Sequence, residues 1–237
     1  MRHRGFFALI FALLTAGLLS GSAFADSMVF NGPGGANLGG VYTYPYNFTV
    51  NGAPMQLMCD TFDNEIFNNE TWTANENTIS GAATSGLFNS VTNAGLKYDA
   101  AGIIFASMLG VNGVTLPGFT NNQDANWAVW ALFSTTALQD INGSASSPFG
   151  LGGDSAALTI YTNALAAAAG APSSDFNGIT IYTPVAGTQV PTTDGLPQEF
   201  LGYTPVPEPS ELSLLGVLAL FTVTGFAFRK RFAFERA

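Results

Sequence analysis

The chain has 237 residues, 47 % of them hydrophobic and only 10 % charged, far from the roughly 25 % charged residues of an average soluble domain. Its formal net charge is -9, and Lys97 is the one basic residue between Arg4 and Arg229, so no basic surface is available to neutralise nucleic-acid phosphates. The single histidine is His3, inside the leader read below as removed, and the single cysteine is Cys59; a mature chain without imidazole excludes Ser-His-Asp and Cys-His catalysis, and one cysteine excludes ordinary zinc sites and an internal disulfide.

In chain order, residues 1–25 read first as a secretory signal peptide. Arg2 and Arg4 precede an apolar stretch from Phe6 to Leu19. Ala23-Phe24-Ala25 then places small side chains at both peptidase recognition positions, which predicts cleavage before Asp26. The glycine-rich run from Asn31 to Gly40 reads as a loop, because no GxGxxG follows a strand there. Tyr42, Tyr44, Tyr46 and Phe48 alternate with small or polar residues, the period of a strand over Val41 to Val50. Asn51-Gly52 signals a hairpin turn into a partner from Gln56 to Asp60.

Three helices follow by pattern. The first is expected from Asp99 as N-cap through Leu109, stopped by Gly110. The second runs from about Gln123 to Phe133, and the third from Asp154 or Ser155 to Ala169, closed by Gly170 and Pro172. Phe176 to Tyr182 and Gln198 to Tyr203 read as late strands. Strands at both ends around central helices predict a single exported α+β domain over residues 26–204.

Residues 205–237 end the chain with three parts in fixed order. Val206-Pro207-Glu208-Pro209-Ser210 comes first, then the apolar run from Leu212 to Phe228, then Arg229-Lys230-Arg231. At about 1.5 Å per residue that run reaches roughly 26 Å as a helix, enough for a thin hydrocarbon core. The basic cluster would stay cytoplasmic by the positive-inside rule, which leaves the preceding domain outside. This tripartite tail resembles the PEP-CTERM sorting signal of exported proteins in exopolysaccharide-producing Gram-negative bacteria. The resemblance implies signal peptidase and a membrane-embedded exosortase as processing partners. It also implies an inner-membrane precursor, and then a place at the cell surface or in the extracellular matrix.

Three features could carry chemistry. Cys59, in Leu57-Met58-Cys59-Asp60, together with Gln123-Asp124-Ala125-Asn126-Trp127-Ala128-Val129-Trp130, resembles the thioester domains of bacterial surface adhesins. In that family a cysteine and a glutamine condense with loss of ammonia into a bond that captures amines. The resemblance implies Cys59 and Gln123 as the pair. In a second register, Asn126 takes the glutamine's place in Asn126-Trp127-Ala128-Val129-Trp130, and the motif's usual preceding threonine is replaced by Asn122. Thr120 and Gln123 are also spaced as a capping box, and Trp127, Trp130 and Phe133 as a core stripe. The second feature is the acidic group Asp60, Asp63 and Glu65, which offers oxygens for calcium or a carboxylate pair for glycoside hydrolysis but matches no EF-hand spacing. The third is a surface rich in Asn, Thr, Ser and aromatic residues, suited to exopolysaccharide or to neighbouring surface proteins.

No cofactor motif is present. The reading is a non-enzymatic cell-surface or matrix protein with an interaction or structural role. A covalent adhesin built on Cys59 and Gln123 is the alternative, and a carboxylate-dependent glycan-active enzyme the third.

Overall fold

The computed structural model describes residues 25–144, 151–191 and 197–206. The leader before Ala25 and the tail from Pro207 onward, including Glu208, Pro209, Ser210 and the Arg229-Lys230-Arg231 cluster, lie outside the described residues. Among the described residues no helix is long and apolar enough to cross a membrane. Tyr203 closes the first of two compact units and Thr204 opens the second.

The first unit mixes strands and helices as the pattern predicts. Six antiparallel strands close into a barrel in the order β1 (Asp26–Pro33), β4 (Tyr46–Val50), β5 (Ala53–Cys59), β8 (Phe200–Tyr203), β7 (Ile179–Pro184) and β6 (Thr71–Asn77). A small hairpin of β2 (Asn37–Leu38) and β3 (Val41–Tyr42) lies outside it. Between β6 and β7 the described residues form five α-helices: α1 (Ile79–Ser85), α2 (Ala94–Leu109), α3 (Asn122–Phe133), α4 (Thr135–Ile141) and α5 (Ser155–Ala168).

Alternation of side chains along each strand gives the barrel two apolar faces. Met28, Phe30, Phe48, Leu57, Cys59, Trp72 and Phe200 form one buried cluster, whose rings meet edge-on, Phe48 with Phe200 at 4.7 Å and with Trp72 at 5.7 Å. Their neighbours along the strands, Met58, Ile181 and Leu201, belong to a second cluster built with the helices. Each such side chain removed from water contributes about 1.5–3 kcal/mol, so both faces hold the strands in register. The Asn51-Gly52 turn forms as expected: Asn51 at φ 50° and Gly52 at φ 84° join β4 to β5, the left-handed pair that matches strand twist.

Helix α3 is buried on every side from Asp124 to Leu132, the signature of a central helix. Its cap is Asn121, whose Oδ1 accepts from the Gln123 and Asp124 backbone N–H groups at 2.9 Å each, so the Thr120–Gln123 capping box is not the one used. Helix α2 starts at Ala94, before the expected Asp99, and Gly110 ends it at φ 66°. No proline or glycine-rich break separates Gly95 from Asp99, so the helix extends backwards until Asn93 turns it. Asp154 caps α5 through the Ala156 and Ala157 N–H groups, both at 3.0 Å. The late strand expected from Phe176 begins at Ile179, after a short 3-10 turn over Ser173–Phe176.

At the start of β1 the Asp26 side chain is buried and accepts from Asn51 Nδ2 at 2.5 Å. A hydrogen bond to Asp26, burial and the charge of Asp26 push the nearby Glu76 carboxyl up from its ordinary value of 4.5 to about 7. Tyr182 on β7 faces the same acids and is pushed up to about 12 by burial and by their charge. A carboxyl whose folded pKa is raised stabilises fully below its unfolded value, and that stability is lost as pH rises through the folded one. Thermal melts should therefore lose stability from pH 5 to pH 8 in wild type. Glu76→Gln, which keeps a hydrogen bond to Asp26 at any pH, should flatten that slope.

Candidate functional site

Register places the site where β5 ends and β8 begins. Cys59 is paired with Phe200 across the two strands, and the ladder continues past them through Asp60 N–H to Glu199 C=O at 3.3 Å and Glu199 N–H to Thr61 Oγ1 at 2.9 Å. Residues two apart on a strand share a face, so Gln198 lies on the Phe200 side as the diagonal neighbour of Cys59. The Cys59 thiol donates to Gln198 Oε1 at 3.2 Å and to the Thr61 carbonyl at 3.1 Å. Gln198 Nε2 donates in turn to the Asn64 carbonyl. Cys59 is fully buried and Gln198 is 7 % exposed.

The carboxamide brought to Cys59 is therefore that of Gln198 rather than that of Gln123. Gln123 sits half-buried in the first turn of α3, where its backbone N–H binds the Asn121 cap. Asn126, the residue of the second register, is fully buried and holds the cysteine from behind. Its Nδ2 donates to the Cys59 carbonyl at 2.9 Å and its Oδ1 accepts from the Tyr44 N–H at 2.7 Å. Helix α3 is thereby fastened both to the end of β5 and to the loop before β4.

The acidic group expected as an oxygen cluster is dispersed. Asp60 is fully buried, Asp63 accepts from the Ser134 hydroxyl at 3.1 Å, and Glu65 lines a surface cleft. Among the described residues no three His, Cys, Asp or Glu side chains gather as a metal site. Asp60 instead faces Glu199. Burial first, then the charge and hydrogen bond of Glu199, push the Asp60 carboxyl well above the ordinary carboxylate range. Tyr98 Oη donates to Glu199 at 2.6 Å, and the Leu87 N–H donates at 2.8 Å. This network lies on the helix side of the two strands, opposite Cys59 and Gln198.

The Cys59 face is covered by rings. Phe62, Trp127 and Trp130 meet pairwise with centroids 5.2–5.3 Å apart. A cleft of about 470 Å³ reaches this face, and Gln198, Trp130, Tyr46, Asn64 and Glu65 are among the residues lining it. Burial raises the Cys59 thiol strongly, and the charges of Asp60 and Glu199 add to the rise. A thiol so held is protonated, and sits in hydrogen-bond contact with an amide carbonyl in a largely water-free site. The closeness of sulfur to an amide carbonyl is what an acyl transfer from nitrogen to sulfur requires, while the raised thiol opposes it.

No known protein-family model matches the chain, and no curated protein matches it. Among solved structures, the chain is similar to the N-terminal thioester domain of fibronectin-binding protein SfbI from Streptococcus pyogenes. The match has 15 % identity and a TM-score of 0.44, and covers 78 % of this chain and 97 % of that one.

Proposed function

We propose that this chain is an exported surface protein that captures amines covalently through an internal thioester between Cys59 and Gln198. In the forming step the Cys59 sulfur attacks Gln198 Cδ, an Sγ–Cδ bond replaces the Cδ–Nε2 bond, and the thiol proton leaves with the nitrogen as ammonia. In the capture step a primary amine attacks the same carbon. The Sγ–Cδ bond breaks, an amide forms, and the proton given up by the amine balances the sulfur as a thiol. Each molecule reacts once, so the chain is a reagent and no enzyme. The observation that carries the reading is the Cys59 Sγ–Gln198 Oε1 contact of 3.2 Å between two buried side chains. Glu65, the one charged side chain among the described residues lining the cleft, favours a cationic amine at its mouth. The leader at 1–25 and the PEP-CTERM-like tail at 205–237 supply export and sorting in this account. Amine-bearing neighbours in the matrix, protein or exopolysaccharide, are the partners.

The test is a thiol titration in acidic denaturant on protein purified from its own host. The expected result is no reactive thiol before methylamine treatment of the folded protein and one after it. A full equivalent of thiol in the untreated protein would overturn the reading.

A further inference from the structure

A thioester opens only as fast as its sulfur can leave, and the surroundings of Cys59 oppose that departure. Breaking the Sγ–Cδ bond sends its electron pair to sulfur, yet the site is buried and lies near the Asp60 and Glu199 carboxyls, all of which disfavour a thiolate. A neutral donor aimed at sulfur is the remedy such a site needs, since hydrogen bonds to charged groups are the strong ones.

Trp130 supplies one. Its Nε1 is buried and makes no well-formed hydrogen bond in the resting structure, a costly state for an indole N–H unless it has a partner at another stage. Trp130 belongs to the buried cluster that contains Cys59 and lines the same cleft as Gln198. Its N–H acts on the Cys59 sulfur in the direction that favours the thiolate, with the Thr61 backbone acting alike. Asn126 one turn earlier fixes α3 to the Cys59 carbonyl at 2.9 Å, so the turn that carries Trp130 is tied to the end of β5.

We infer that Trp130 is a catalytic residue whose indole N–H stabilises the Cys59 thiolate as the Sγ–Cδ bond breaks during amine capture. The inference rests on the thioester reading and assigns a role to a residue that otherwise looks like core. The proton balance is unchanged: the indole keeps its hydrogen, and the proton from the attacking amine reaches sulfur once the amide has formed.

The experiment compares wild type with Trp130→Phe, and with a chain carrying benzothienylalanine at position 130. That analogue has the shape of tryptophan without its N–H, and covers the case in which the phenylalanine variant packs poorly. The rate of methylamine capture is followed by intact mass. The reactivity of the freed thiol toward iodoacetamide is then measured against pH. Given time the variants should lose ammonia as completely as wild type, though more slowly, capture methylamine about tenfold more slowly or worse, and show a thiol whose reactive form appears at higher pH. A purely packing role would leave that pH profile unmoved. Equal capture rates and superposable pH profiles in a variant that carries the thioester would overturn the role of Trp130 alone. A wild type that never loses ammonia would overturn the thioester and this inference together.

Discussion

Replacing Gln198 with alanine is expected to abolish the covalent chemistry completely: the chain keeps the full mass of its sequence, Cys59 titrates as one thiol, and methylamine adds nothing. The reason is stoichiometric, because without the Gln198 carboxamide there is no acyl carbon for the Cys59 sulfur and no ammonia to lose. Cys59→Ala should give the same mass result from the other side of the bond. Gln123→Ala is the discriminating control. Gln123 serves α3 through its backbone N–H on Asn121 at 2.9 Å, which alanine also has, so the thioester should form normally and stability should move by no more than about 0.5 kcal/mol. Intact mass of the three variants checks the whole set.

The second large effect is expected from Asn126→Ala. This fully buried amide satisfies the Cys59 carbonyl at 2.9 Å and the Tyr44 N–H at 2.7 Å, and alanine leaves both backbone groups without a partner. An orphaned buried polar group costs about 1–3 kcal/mol, so the combined loss should be about 2–5 kcal/mol, among the larger single-residue effects. Urea unfolding should show a lower midpoint with an unchanged slope. Because the lost bonds also fix the end of β5, the surviving folded fraction should form the thioester more slowly than wild type.

Much of the fold was legible because local chemistry decides it. Asn51-Gly52 demands a left-handed turn, Asp154 offers a cap and Gly110 a stop, and each does so where expected. The strands β1 and β6 were missed for a physical reason. Asn31-Gly32-Pro33 reads as a turn, yet it closes β1 beyond a bulge between Phe30 and Gly32. Thr71–Asn77 is polar on alternate positions and apolar only at Trp72 and Ala74. Cys59 stood out by being single. Its partner did not, because Gln198 lies 139 residues away, beyond helices α1 to α5, and barrel closure brings the two together without any local spacing rule. The signal that could have found it was the strand expected from Gln198 to Tyr203, whose period places Gln198 on the Phe200 face. What remained hidden was that this strand pairs with the one ending at Cys59. Asn126, which the second register puts at the motif's glutamine position, instead hydrogen-bonds the Cys59 carbonyl.

The most direct measurement is the intact mass of the folded protein purified from its own host, before and after methylamine. The account predicts a chain lighter than its sequence by one ammonia, which gains one whole methylamine on treatment, with the adduct mapped by fragmentation to Gln198. A chain of full mass that takes up no methylamine, or an adduct mapped to Gln123, would contradict it.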